Sequence, residues 1–251
     1  SGAGCINCQQ NAESLGNFDT ACTCIDTHIV DGHNCVAKVF GCMNSGLTNY
    51  NSDANVDDGS CIAVSFNNDQ LNTALQTTCC TENGFLNDCT LDKNYALSDE
   101  GSHISTWDTS EVTSMYDLIS QLPLQCRETF NANISYWDTS KVTNMESTFR
   151  NAILFNQELH WDTSKVTTMR FMFLDADQFN KPLVWDTSKV TDMGYMFYNI
   201  DNFNQPLNWD TSNVQTMRSQ FQKAKLFNQP LDWDTSSVTN QQYMFNSAVK
   251  F

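Results

Sequence analysis

The sequence predicts an α/β solenoid with disulfide-rich modules in front of it. Three observations lead there. The word WDTS occurs six times and holds all six tryptophans: Trp107, Trp137, Trp161, Trp185, Trp209 and Trp233. From Trp137 onward these lie 24 residues apart, a period typical of units that bury their apolar side only by stacking on a neighbour. All 11 cysteines lie at or before residue 126, so the two ends of the chain are built differently.

Each element of the period has its own signal. Val166, Met169, Met172, Phe173 and Ala176 are spaced 3, 3, 1 and 3, one face of a short helix. Asp162, Thr163 and Ser164 precede that face and are all good helix N-caps. Leu183 and Trp185 alternate across Val184, as a very short strand would. FNKP turns the chain before them, with Pro182 at the strand's first position, where it is tolerated. One coil is therefore strand, cap, short helix and turn. Parallel strands stack at about 4.8 Å, so six coils over residues 107–251 would span only about 30 Å. The first interval, from Trp107 to Trp137, is longer because SQLPLQCRET stretches that coil and carries Cys126.

Stacking turns each repeated residue into a column. The Trp, Val and Phe columns are core. Asn131, Asn156, Asn180, Asn204 and Asn228 are expected to bond turn backbone from coil to coil. Asp108, Asp138, Asp162, Asp186, Asp210 and Asp234 bring carboxylates about 5 Å apart, which repel unless compensated. Either helix N-termini and Lys141, Lys165 and Lys189 compensate them, or a line of Ca²⁺ does. Thr109, Thr139, Thr163, Thr187, Thr211 and Thr235 either cap as well, or form a hydroxyl row that takes ordered water, sugar or O-glycans.

The repeat, written WDTSxVTxMxxMFxxAxxFNQPL, resembles that of the BspA-like surface proteins, whose short leucine-rich-repeat-like units carry the same words. The resemblance covers residues 107–251 and implies a curved, right-handed, leucine-rich-repeat-like fold. It also implies display outside the cell for adhesion, interaction or assembly, and it brings no catalytic residues. The first unit departs from it, with Leu118-Ile119 in place of Met-Phe.

Four domains are expected: a cysteine-rich module at 1–40, an Asx-rich module at 41–62, a cap at 63–106 and the repeats at 107–251. Residues 1–40 are loosely similar to an EGF module and too small to hold without staples. GCMNSGLTNYNSDANVDDGSC, 41–61, resembles a small secreted module bracketed by its two cysteines, which implies a Cys42–Cys61 bridge. Asn51, Asp53, Asn55, Asp57 and Asp58 place oxygens close together, as a calcium loop or a run of Asx turns does. Ca²⁺ is the one candidate cofactor. DQLNTALQTTCC within 63–106 makes a turn or two of amphipathic helix. Cys79, Cys80 and Cys89 can pair among themselves and with Cys126. Disulfides at this density point to an oxidising compartment, so the chain is expected at the cell surface or secreted. An odd cysteine remains free or joins another molecule. Asn133-Ile134-Ser135 is an N-glycosylation sequon.

Composition narrows the function. The formal net charge is -16, which disfavours nucleic acid and anionic lipid as partners. No stretch reaches the roughly 20 apolar residues of a membrane span. No phosphate loop, nucleophile elbow or HExxH word occurs, and the four His are scattered, so no enzyme is expected. The repeats stop at Phe251 without a capping unit. That leaves Met244, Phe245 and Phe251 as an expected assembly interface through which copies would stack head to tail into a filament. The alternative is a surface adhesin that binds glycans, host proteins or ice.

Overall fold

The computed structural model describes residues 28–31, 34–37, 40–41, 53–54, 56–57, 65–86, 90–91 and 102–251. The chain divides into two units, one of Ser1–Ala63 with Lys93–Asp99 and one of Val64–Asp92 with Glu100–Phe251. In the first, β1 (His28–Asp31) pairs antiparallel with β2 (Asn34–Ala37), and β3 (Phe40–Gly41) pairs parallel with β4 (Val56–Asp57).

The second unit opens with α1 (Asn68–Ala74), started by a capping box. The Asn67 side chain accepts from the Gln70 amide while the Gln70 side chain accepts from the Asn67 amide, so two orphan donors are satisfied reciprocally. A π-helical turn, Leu75–Cys79, follows. Next come β5 (Cys80–Thr81) with β6 (Gly84–Phe85), and β7 (Thr90–Leu91) with β8 (Ser102–His103), both pairs antiparallel. The start of α1 lies against the first repeat. Asn68 Oδ1 accepts from the Thr113 and Ser114 amides, and the Phe66 ring is 5.0 Å from that of Trp107. The six-residue α2 (Leu124–Thr129) forms inside the longer first interval and carries Cys126, which is bonded to Cys80. That is one of the pairings the cysteine spacing left open, and Cys79 is disulfide-bonded as well.

The expected α/β solenoid, with leucine-rich-repeat-like coils of parallel strand plus short helix, does not form. Residues 107–251 contain one helix, α2, and no strand; consecutive repeats meet through single-residue parallel bridges at Ser114, Asn144, Thr168, Asp192, Thr216 and Asn240. The hydrogen bonds give the reason. An α-helix at Val166–Ala176 would send the Phe173 amide to the Met169 carbonyl. Instead, the alternate amides of Met169, Phe171, Phe173 and Asp175 donate to the carbonyls of Asp192, Gly194, Met196 and Tyr198 in the next repeat. The amides between them, of Met172, Leu174 and Ala176, close i to i−3 turns. Phe171 and Asp175 also adopt left-handed backbone, φ 58° and 56°, which no α-helix accommodates.

Side chains carry the rest of the packing. Trp indole amides donate to carbonyls of the preceding repeat, from Trp137 to Ile104 (2.8 Å) through Trp233 to Leu207 (3.0 Å). Phenylalanines stack in two rows, with Phe173 on Phe197 at 5.7 Å and Phe179 on Phe203 at 6.0 Å. The asparagine ladder is present: each Oδ1, as in Asn156 to Asn180 (3.0 Å) and Asn180 to Asn204 (3.0 Å), accepts the next asparagine's amide.

One core position breaks its column. Gln220 occupies the place of Met172, Met196 and Met244. It is fully buried, its Oε1 has no partner, and its amide reaches only Met193 Sδ at 3.8 Å. Gln220→Met removes a desolvated, unpaired carbonyl and is expected to raise stability by about 1–3 kcal/mol. The urea midpoint should rise at an unchanged slope; a fall would show that the amide has a partner in solution.

Candidate functional site

The repeats sort their polar side chains into rows with different chemistry. The threonine row is not a surface. Thr109, Thr139, Thr163, Thr187 and Thr211 are buried, and each hydroxyl donates to the carbonyl of the next repeat's aspartate, as from Thr187 to Asp210 at 2.8 Å. Only Thr235 is exposed. Buried, engaged hydroxyls cannot face ice, sugar or a glycosyltransferase, so both surface roles fall for this row.

The aspartate row caps no helix. Each Oδ1 accepts the amide of the serine two residues on, at 2.8–3.0 Å, from Asp108–Ser110 to Asp234–Ser236. Lys141 pairs with Glu111 (2.6 Å) rather than with an aspartate. Among the described residues no group of carboxylates, histidines or cysteines is placed to hold a metal ion, so the calcium line has no support there. Asp53 sits exposed in a turn and Asp57 lies in β4. Asn51, Asn55, Asp58, Cys42 and Cys61 lie outside the described residues.

These serine bonds hold the carboxyls of Asp138, Asp162, Asp186, Asp210 and Asp234 below the usual carboxylate range. Burial instead pushes Glu146 and Asp177 up. The signs predict the pH profile. Groups raised in the fold add stability as pH falls through their folded values. Groups lowered in the fold lose theirs once pH drops below about 4. The melting temperature should therefore rise on mild acidification and then fall, with Asp162→Asn and Asp186→Asn flattening the acid limb.

Asn133 is exposed, and its Oδ1 accepts the Ser135 amide at 3.1 Å. Ser135 itself is buried, its hydroxyl 2.6 Å from the Glu158 carbonyl. Met244 and Phe245 are half-buried and Phe251 is exposed, its ring 4.0 Å from that of Phe245.

The row that sequence reasoning missed follows the methionines. Asp117, Ser147, Phe171, Tyr195, Ser219 and Tyr243 all have φ between 51° and 61°. Such a conformation suits Asn or Gly and is an outlier for a bulky residue. Three of the six are nevertheless large aromatics. Phe171 and Tyr195 lie 5.0 Å apart. With Tyr198, Tyr243, Arg218 and Gln222 they line an open depression of about 420 Å³. Guanidinium groups stand over the rings, Arg170 at 4.4 Å and Arg150 at 5.7 Å from Phe171, and Arg218 at 5.8 Å from Tyr195. The sequence holds only four arginines, and all four line this depression or one of two others on the repeats. Among the described residues none is in an ion pair; the three bridges use Lys141, His160 and Lys225. The signal was present in the variable x positions of MxxMF, which hold Arg170, Arg218, Phe171, Tyr195 and Tyr243.

Fold and site together define a repeat chain on which half-buried Arg170, Phe171 and Tyr195 and exposed Arg218 and Tyr243 form a shallow aromatic and guanidinium face. Its sequence matches, over residues 90–184 and 183–251, the family described as "Mycoplasma protein of unknown function, DUF285". Those spans cover more than half of the chain, which therefore belongs to that family. No curated protein and no solved structure matches it. Among the described residues no helix is long and apolar enough to cross a membrane.

Proposed function

We propose that the chain is a non-enzymatic, extracellular ligand-binding protein, and that the face of Phe171, Tyr195, Tyr243 and the surrounding arginines is its binding surface. The carrying observation is strain. A non-glycine residue held left-handed costs of order 1 kcal/mol or more, and the same row accepts Asp117, Ser147 and Ser219, so packing does not demand an aromatic there. Rings kept at such positions, half-buried or exposed, supply rigid contact area of the kind found at binding hot spots. Cysteine density and the resemblance to surface proteins support an extracellular location.

The test is retention on an array of glycans and secreted proteins. Wild type should be captured, and a Phe171→Ser, Tyr195→Ser, Tyr243→Ser variant should lose capture while melting no lower, because serine already occupies this row at two places. Equal capture of both proteins would overturn the reading.

A second reading, head-to-tail assembly, is favoured by one observation. Stacked rings and bridges recur with the same register at each repeat, so the face bearing Met244, Phe245 and Phe251 offers the pattern that any further repeat would meet, in this chain or another. Electron microscopy separates the two: filaments whose axial repeat is one molecule favour assembly, and dispersed molecules favour the ligand face alone.

A further inference from the structure

We propose, on the reading that this face takes a ligand, that the ligand is a linear polysaccharide bearing carboxylate or sulfate groups at intervals, laid across successive repeats. Four features lead to this chemistry. First, among the described residues Arg150, Arg170 and Arg218 are in no ion pair, in a chain with 29 acidic residues. A guanidinium stacked on a ring keeps its edge donors free, a fork that matches a carboxylate or sulfate oxygen pair. Second, the rings offer electron-rich faces to the polarised C–H groups of sugar rings, and Gln222, Asn246, Gln215 and Asn240 on the same depressions supply donors and acceptors for hydroxyls.

Third, the row of Glu146, Arg170, Arg218 and Gln242 is interrupted by Gly194. A Cβ there would meet only Asp192 Oδ1 at 3.1 Å and otherwise ordinary contacts. The glycine leaves a gap between Arg170 and Arg218, and these three residues line one depression. Arg170 and Arg218 stand two repeats apart in the chain, about 10 Å along the stack at the backbone, and their guanidinium groups lie over Phe171 and Tyr195 of adjacent repeats, a sparse array of positive charge. Duplex DNA, with a charge every ~1.7 Å, is far denser and would meet the whole acidic surface.

Fourth, a peptide added as a strand needs unpaired backbone donors. On this face the amides of Met169, Phe171, Met193, Tyr195, Met217 and Ser219 are all spent on the next repeat, so recognition is left to side chains. Net charge does not forbid an anion here. Asp192 lines the same depression as Arg170 and Arg218, but its Oδ1 already accepts the Gly194 amide at 2.7 Å, and carboxylates farther off are screened beyond about 8 Å at physiological salt.

The experiment measures binding of the whole chain to an alginate (carboxylate), a sulfated galactan, a neutral β-glucan and poly-glutamate. Each is repeated with Arg170→Gln/Arg218→Gln and with Gly194→Gln, which fills the gap with the residue type that stands at Gln242. We expect the alginate or the galactan to bind, whichever does naming the anion. Each variant should weaken that binding by about tenfold or more with melting unchanged. If the neutral glucan binds as well and the arginine variant is silent, the anionic assignment falls while the ligand face stands. Equal binding of poly-glutamate overturns the sugar assignment. If neither anionic polysaccharide binds, the proposal is overturned; capture of other ligands on the array, lost with the aromatic triple variant, would still uphold the face.

Discussion

Trp185→Ala is expected to cost about 3–5 kcal/mol, the range for emptying a large buried aromatic site. Trp185 packs between Trp209 (ring centroids 6.3 Å) and Phe173 (6.2 Å), and its indole donates to the Leu159 carbonyl at 3.2 Å. Alanine would open a cavity in the middle of a column and leave that carbonyl desolvated without its partner. The neighbours cannot collapse into the gap, because backbone bonds between repeats hold their spacing. Two controls divide the cost. Trp185→Phe keeps one ring but gives up the indole bond and the fused ring's volume, and should cost about 1–3 kcal/mol, less than the alanine variant. Trp233→Ala, at a half-exposed member of the same column, should cost clearly less than the internal substitution. Urea denaturation reads all three; a loss at Trp185 no greater than that at Trp233 would mean that the columns do not bear the packing load assigned to them.

Removing the Cys80–Cys126 bond, as Cys80→Ala/Cys126→Ala, is expected to cost about 2–4 kcal/mol. The bond ties residues 46 positions apart, so its loss restores considerable freedom to the unfolded chain. It also frees α2, a six-residue helix with no side-chain N-cap and too short to persist alone. Cys126 is fully buried, and beside it Thr129 Oγ accepts the Phe85 amide at 2.8 Å. Amide hydrogen exchange locates the effect: protection should fall across residues 80–86 and 124–130 and persist in the later repeats. Uniform loss along the chain would contradict the local role given to the bridge.

The sequence by itself determined which residues share a column. Identical spacing of Trp, Val, Phe and Asn forces like onto like wherever the repeats stack, and the core rows and asparagine ladder follow from arithmetic alone. It also confined the partner of Cys126 to a few cysteines, of which Cys80 is the one used. Only the tertiary structure decided how the backbone between columns is bonded. The 3, 3, 1, 3 spacing reports which side chains face inward, and a helix and a string of tight turns share that pattern. A neighbouring repeat about 4.8 Å away offers carbonyls that compete with those one turn back, and here the neighbour takes alternate amides. That choice sets the left-handed residues, turns the threonine hydroxyls inward to the next repeat's carbonyls and leaves Phe171, Tyr195 and Tyr243 on the outside among the arginines. None of these directions has a local signature, because each depends on a partner 23 or 24 residues away in sequence and one repeat away in space.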